Sequence, residues 1–200
     1  MKKLLLFSVM LAVLFTACRS GKSVQQHFYL LELPEEYAQT LPVTLTTLPG
    51  TCGIMQVKVA PPYASHQIAL REESHSIRYF SFNEWAQRPE NALRDIAARF
   101  LKTHGVFEHV STGRLAEGAD YMLKVDVSRL EVVDRGKTLE ARFVAELLLQ
   151  DAKGDHILYQ HLADHAEVLP GNNLNDFAST ISRLFAEELK TMTMQLMEGQ

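Results

Sequence analysis

The chain of 200 residues is 46% hydrophobic, 22% charged and 8% aromatic, with 10 Gly and 7 Pro, a balance that excludes collagen-like, low-complexity and disordered classes. Twenty basic residues against 24 acidic ones give a net charge of −4, which lacks the basic footprint of a nucleic-acid binder, so no nucleic-acid partner is expected. A chain of this length buries enough surface to fold as one domain without disulfide or metal staples.

The N-terminus reads as an export signal. Lys2 and Lys3 precede an apolar run of 12 residues, 4–15, and Thr16-Ala17 places small residues before Cys18. The run falls short of the about 20 residues a helix needs to cross a bilayer, so removal is expected rather than a permanent span. Leu14-Phe15-Thr16-Ala17-Cys18 resembles a bacterial lipobox, with Phe15 where that motif usually has Leu. Residues 1–17 then leave as a lipoprotein signal peptide, and Cys18 carries covalent diacylglycerol and an N-acyl chain such as palmitate. The other reading of the same residues is cleavage without lipid.

Removing 17 residues from 200 leaves 183, and loss of Lys2 and Lys3 leaves 18 basic against 24 acidic residues, a net charge of −6. Only Cys52 then remains besides the anchor, so no internal disulfide is expected even in an oxidising compartment. Three acyl chains, at about 0.8 kcal/mol per buried methylene, exceed the two-signal requirement for lasting attachment. Arg19 follows the cysteine. In enteric-type bacteria Asp at that position retains lipoproteins in the inner membrane, so by resemblance to that rule the chain is expected on the periplasmic face of the outer membrane.

Residues 18–26 read as a lipidated tether, short, polar and without periodicity, and 27–200 as a single domain. Phe28-Tyr29-Leu30-Leu31-Glu32-Leu33 is a strand of strong β-formers ended by Pro34, and residues 35–53, with Pro42, Pro49 and Gly50, form a loop holding one short strand. Residues 54–59 alternate as a strand stopped by Pro61-Pro62. Residues 67–71 and 77–82 suit a hairpin across the charged Glu72-Glu73-Ser74-His75. Residues 89–104 read as the first helix, with Pro89 and Glu90 in its first turn and Leu93, Ile96, Ala97, Phe100 and Leu101 on one face; Gly105 ends it.

A short strand at 106–110 precedes a long one at 119–133, where Tyr121, Leu123, Val125 and Val127 share a face until Arg129 breaks the phase and Leu130 and Val132 switch sides. That one-residue slip predicts a β-bulge. Residues 139–150 and 156–168 complete a three-stranded antiparallel meander. After Pro170-Gly171, Asn173 or Asn175 caps a helix whose Phe177, Ile181, Leu184, Phe185, Leu189 and Met192 follow helical spacing to the end. The class expected is α+β, a two-layer domain with a mostly antiparallel sheet and two main helices.

Little in this pattern points to chemistry. His161 and His165 have the spacing that lets two imidazoles share a zinc on a helix, but on a strand they lie about 13 Å apart, so a solvent-facing strand is the better reading and no metal is expected. Ser20-Gly21-Lys22-Ser23 resembles the end of a phosphate loop without the strand or first glycine that such a loop needs. Cys52 lacks any sequence sign of an activating base, and Glu72, Glu73 and Asp164 read as solvated charges. Met194 and Met197 fall off the apolar stripe and are weighed between a partner or lipid contact and helix-end packing. Trp85 reads as a core anchor before a helix.

A lipobox, Tyr29-Leu30-Leu31, Val57-Lys58-Val59-Ala60-Pro61-Pro62-Tyr63, Gln67-Ile68-Ala69-Leu70-Arg71 and Trp85-Ala86 before a helix together resemble the ABC-type transport auxiliary lipoproteins. These include the lipoprotein of the paraquat-inducible envelope system, which works with mammalian-cell-entry (MCE) proteins in intermembrane lipid transport. The chain departs from the family's pattern at Ala64-Ser65-His66 and at Gln87. The resemblance implies a fold similar to the TolB N-terminal domain and no catalysis. It implies an MCE-domain protein and its ABC transporter as partners, with a homo-oligomer as a further assembly, and a role in membrane integrity. Tyr63, Arg71, Tyr79 and Trp85, lying in the matched segments, are expected on or beside a docking or self-association surface. The alternative is a structural or assembly lipoprotein bound to an outer-membrane β-barrel or secretion complex; an envelope hydrolase is a further rival that no catalytic spacing supports.

Overall fold

The structure, a computed structural model, describes residues 25–39, 47–55 and 57–198. The expected signal peptide, Cys18 and the first part of the tether lie outside the described residues. In chain order the elements are β1 (His27–Tyr29), α1 (Glu35–Ala38), β2 (Leu48–Ile54), β3 (Val57–Val59), a 3-10 turn (Pro61–Tyr63), β4 (Gln67–Glu73), β5 (Ser76–Trp85) and α2 (Pro89–Thr103). There follow β6 (Phe107–Thr112), a second 3-10 turn (Gly113–Ala116), β7 (Tyr121–Asp134), β8 (Leu139–Asp151), β9 (Ile157–Val168) and α3 (Leu174–Glu198). The fold is α+β, with a mixed, mostly antiparallel sheet and two major helices.

The meander β7–β8–β9 is the frame. β7 and β8 pair antiparallel from Tyr121↔Asp151 to Asp134↔Leu139, and β8 and β9 from Glu140↔Val168 to Gln150↔Ile157. The predicted bulge is present as a register shift between Val127 and Arg129. Its extra residue returns Leu130 and Val132 to the face already holding Leu123, Val125 and Val127, and all five are buried. Opposite them Ala141, Phe143, Ala145, Leu147 and Leu149 of β8 are fully buried, and the Phe143 ring meets Phe185 of α3 edge-on at 6.2 Å between centroids.

The two helices cover this face. Leu93, Ile96, Ala97, Phe100 and Leu101 of α2 and Phe177, Ile181, Leu184, Phe185, Leu189 and Met192 of α3 are buried, each of the side chains larger than alanine contributing roughly 1.5–3 kcal/mol through apolar area removed from water. The Asn173 side chain accepts a hydrogen bond from the Asp176 N–H at 3.0 Å, which settles the cap of α3 on Asn173. Met194 stays exposed on α3, Met197 is half-buried, and Met192 lies in the core.

The other edge of β7 differs from the expected pattern. Three short strands, β2, β3 and β4, pair with it in parallel at successive positions, through Cys52↔Tyr121, Val57↔Val125 and Ala69↔Glu131. β6 extends the sheet beside β2, and β5 pairs antiparallel with β4 and parallel with β1. Residues 54–59 are therefore not one strand; they are divided between β2 and β3. β2 begins at Leu48, inside the stretch expected as loop, because a register shift between Leu48 and Thr51 accommodates Pro49 and Gly50. Gly50 adopts φ +96°, a conformation that favours glycine, and a Cβ at Gly53 would stand 2.9 Å from the Ala119 Cβ. Pro-Gly, a loop signal in isolation, here marks a bulged strand.

Candidate functional site

Of the four residues expected at a surface, Tyr63, Arg71 and Tyr79 come together where β4, β5 and β7 meet, while Trp85 ends β5 against Phe177 of α3. The 3-10 turn Pro61–Tyr63 starts with Ala60, whose N–H donates to the Val127 carbonyl at 2.8 Å. Proline at its first two positions fixes the backbone for that turn. Tyr63 is thereby brought over β7, where it is buried.

Its hydroxyl donates to Glu131 Oε2 at 2.7 Å, while Arg71 Nε on β4 donates to Glu131 Oε1 at 2.8 Å. The same guanidinium donates to the Tyr63 hydroxyl at 3.2 Å and to the Ser74 carbonyl at 2.9 Å. Glu131 is wholly buried. Its register partner on β8 is Arg142, and the bulge places both on the sheet face opposite the helices.

Electrostatics follow from this geometry. Burial, then the hydrogen bond to Glu131, pushes the Tyr63 hydroxyl above the usual phenol range. The bond to Glu131 raises Arg71 above the ordinary guanidinium value, so its side chain keeps its charge. Arg129 lies 4.0 Å from the same carboxylate and is half exposed. Arg142 is bonded to Asp164 on β9 and to the His165 carbonyl at 2.7 Å, and its guanidinium holds Asp164 below the usual carboxylate range.

Tyr79 and Trp85 both belong to β5. Tyr79 is 39% exposed, with its hydroxyl on the Pro62 carbonyl at 3.1 Å, and nearby Phe82 is 48% exposed. Trp85 is 2% exposed, its ring 5.6 Å from that of Phe177, and its backbone N–H donates to the His66 carbonyl at 2.7 Å. Among the four, Tyr79 alone offers a ring to solvent. Tyr63 and Trp85 are core side chains that fix the strands beside it, and Arg71 is the link between β4 and β7.

The residues set aside on sequence grounds are also placed. Cys52 is fully buried, and loss of hydration pushes its thiol up to about 12, the opposite of what a nucleophile needs. His161 is exposed, as expected of that strand, with Nε2 3.6 Å from the Glu188 carboxylate, whereas His165 is half-buried against α3 with Nε2 2.7 Å from the same carboxylate. Among the described residues no group of three or more His, Cys, Asp or Glu is arranged to hold a metal ion. No described helix is long and apolar enough to cross a membrane.

Glu131 is the residue that sequence reasoning missed. Its signal is a single carboxylate within Leu130-Glu131-Val132-Val133, where a solvated charge would interrupt an apolar run and a buried one needs a cation.

Comparison with known proteins covers most of the chain. A family model described as the ABC-type transport auxiliary lipoprotein component matches residues 29–193. A crystal structure of a protein from Xanthomonas campestris superposes with a TM-score of 0.67 at 17% identity, over 81% of this chain and 92% of that one. Another solved structure, of an uncharacterized protein, gives 0.65 at 15% identity, over 86% of this chain and 98% of that one. At these identities the likeness shows a shared fold. No curated protein matches the sequence significantly.

Proposed function

The chain belongs to the ABC-type transport auxiliary lipoprotein family, a non-catalytic auxiliary type linked to transport systems, and from that premise we propose that it docks an MCE-type lipid-transport assembly to the outer membrane. The observation that carries this reading is the coincidence of a family match over residues 29–193 with a lipobox ending at Cys18. Residues 1–17 act as signal peptide, Cys18 receives diacylglycerol and an N-acyl chain, 18–26 tether, and 27–200 form the periplasmic domain. A lipid anchor holds the domain at the membrane and raises the effective concentration of its docking surface, so modest contacts with the MCE protein suffice for a trans-envelope assembly.

In this proposal Tyr79 contributes the exposed ring of the docking or self-association surface. Tyr63, Arg71 and Trp85 hold its strands in place. The experiment is crosslinking in intact envelopes with tagged protein, followed by mass spectrometry of the partners and of the N-terminal peptide. Recovery of an MCE protein with its ABC transporter, together with acylated Cys18, supports the reading. A β-barrel partner alone assigns the chain to assembly of an outer-membrane complex, and an unacylated soluble chain overturns both. Tyr79→Ala is expected to weaken crosslinking while leaving the folded spectrum unchanged.

A further inference from the structure

A second surface lies on the side of α3. There the segment 28–34 with the start of α1, the end of β9 and the first turns of α3 enclose a groove of about 760 Å3. We propose that this groove binds an extended, cationic segment of a partner protein.

Three independent features define that occupant. The first is backbone. Among the described residues β1 pairs only with β5, and β9 only with β8. Each strand keeps one edge without a strand neighbour, and both contribute residues to the groove walls. A strand edge left open offers hydrogen-bonding groups to an incoming extended chain, the basis of recognition by strand addition.

The second feature is apolar surface. Phe28, Leu30 and Val168 line the groove yet remain 60%, 52% and 58% exposed. The floor is set by Ala178, Ser179 and Ser182 of α3, side chains small enough to leave room above the helix. An extended segment places alternate side chains on opposite faces, so its apolar ones can meet these walls while the others stay in water.

The third feature is charge. Four carboxylates line the groove, Glu32, Glu35, Glu36 and Glu167, against the single guanidinium of Arg183. That guanidinium is already bonded to Glu167 and, at 2.8 Å, to Glu187. None of the ion pairs among the described residues involves Glu32, Glu35 or Glu36. A concave surface of one sign raises the local concentration of the opposite charge and rejects its own, which selects lysine- or arginine-bearing segments over acidic ones and over an anionic membrane. The site requires no particular transport partner, so it can stand or fall apart from the docking role proposed above.

The test uses the full chain purified from envelopes in a non-ionic detergent. A labelled heptapeptide alternating lysine and valine, and its glutamate–valine counterpart, serve as probes read by fluorescence anisotropy. The lysine peptide is expected to bind at least about tenfold more tightly than the glutamate peptide, with a preference that shrinks as salt rises. Glu35→Lys combined with Glu36→Lys should abolish the preference without changing the circular dichroism, since both side chains are exposed. Phe28→Ser should weaken binding of the lysine peptide. Equal binding of the two peptides, or a preference that survives the double charge reversal, would overturn the proposal. So would either of two other occupants: a second copy, seen as wild-type self-association lost in the variants without peptide binding, or a membrane, seen as displacement of the peptide by phosphatidylglycerol vesicles.

Discussion

Glu131 and Glu188 are buried carboxylates on opposite sides of one sheet, and they are held differently. Both oxygens of Glu131 are bonded, one to Arg71 at 2.8 Å and the other to Tyr63 at 2.7 Å. On Glu188, Oε1 is bonded to His165 at 2.7 Å, while Oε2 has no hydrogen bond and the Tyr159 hydroxyl beside this cluster has none either. The comparison locates where polar chemistry specifies the fold. β4 meets β7 through only three parallel register pairs, Ala69↔Glu131, Leu70↔Val132 and Arg71↔Val133, and a fully bonded buried ion pair fixes that short contact. α3 is held on β8 and β9 by a continuous apolar face, and the seam at Glu188 tolerates an incomplete set of partners.

The sharpest way to break this contrast is Arg71→Met, which removes the cation hydrogen-bonded to buried Glu131 and leaves only the half-exposed Arg129 at 4.0 Å. A loss of about 3–5 kcal/mol is expected in urea unfolding, most of it recovered when Glu131→Met is added, because a matched apolar pair removes the stranded charge. An unchanged urea midpoint for the single variant would remove the basis of the comparison. Tyr63→Phe deletes one donor and keeps the ring, so its cost should be about 1–3 kcal/mol, the desolvation of one unbonded oxygen. Glu188→Leu is expected to fall within about 1 kcal/mol of the parent, since it removes one good bond together with an oxygen that has no hydrogen bond. If it matches Arg71→Met in cost, the two seams are equivalent.

Two gentler measurements sharpen the picture. His104 packs against the Phe100 ring at 4.2 Å with Nε2 at 3.0 Å from the Tyr37 carbonyl, and burial holds its pKa below the usual imidazole value. The unfolded chain therefore takes up this proton more readily than the folded one. The His104 contribution is complete above the ordinary histidine pKa of about 6.5 and is lost progressively as pH falls below it. His104→Gln should flatten that part of the pH–stability curve. Cys52, with its thiol raised to about 12, should resist a thiol–disulfide reagent at neutral pH in the native chain and react once urea opens the sheet. In Arg71→Met that labelling should begin at lower urea than in Glu188→Leu.

Much of the fold was legible because its longest elements carry strong local periodicity. The change of phase at Arg129 gave the bulge, and Asn173 or Asn175 before an apolar stripe bounded the start of α3, which the Asp176 N–H bond then fixed on Asn173. β2 was hidden because Pro49 and Gly50 signal a turn, and only pairing with β6 and β7 makes a bulged strand of them. The depth of the candidate site residues was not legible. Tyr63 and Trp85 sit in motifs that resemble the family, yet position in a motif carries no depth, and packing against Glu131 and Phe177 buries both.

The sequence by itself determined the α+β class, the meander, the two main helices and the family resemblance, since period-two and helical spacing are set by near neighbours whose side chains must share a face. Tertiary structure alone decided which carboxylate is locked, which strands remain unpaired at their edges, and where Phe28, Leu30 and Val168 stand together around an acidic groove. The partners of Glu131 come from 60 and 68 positions away along the chain. At such separations no local pattern records the contact, and chain closure with burial selects it.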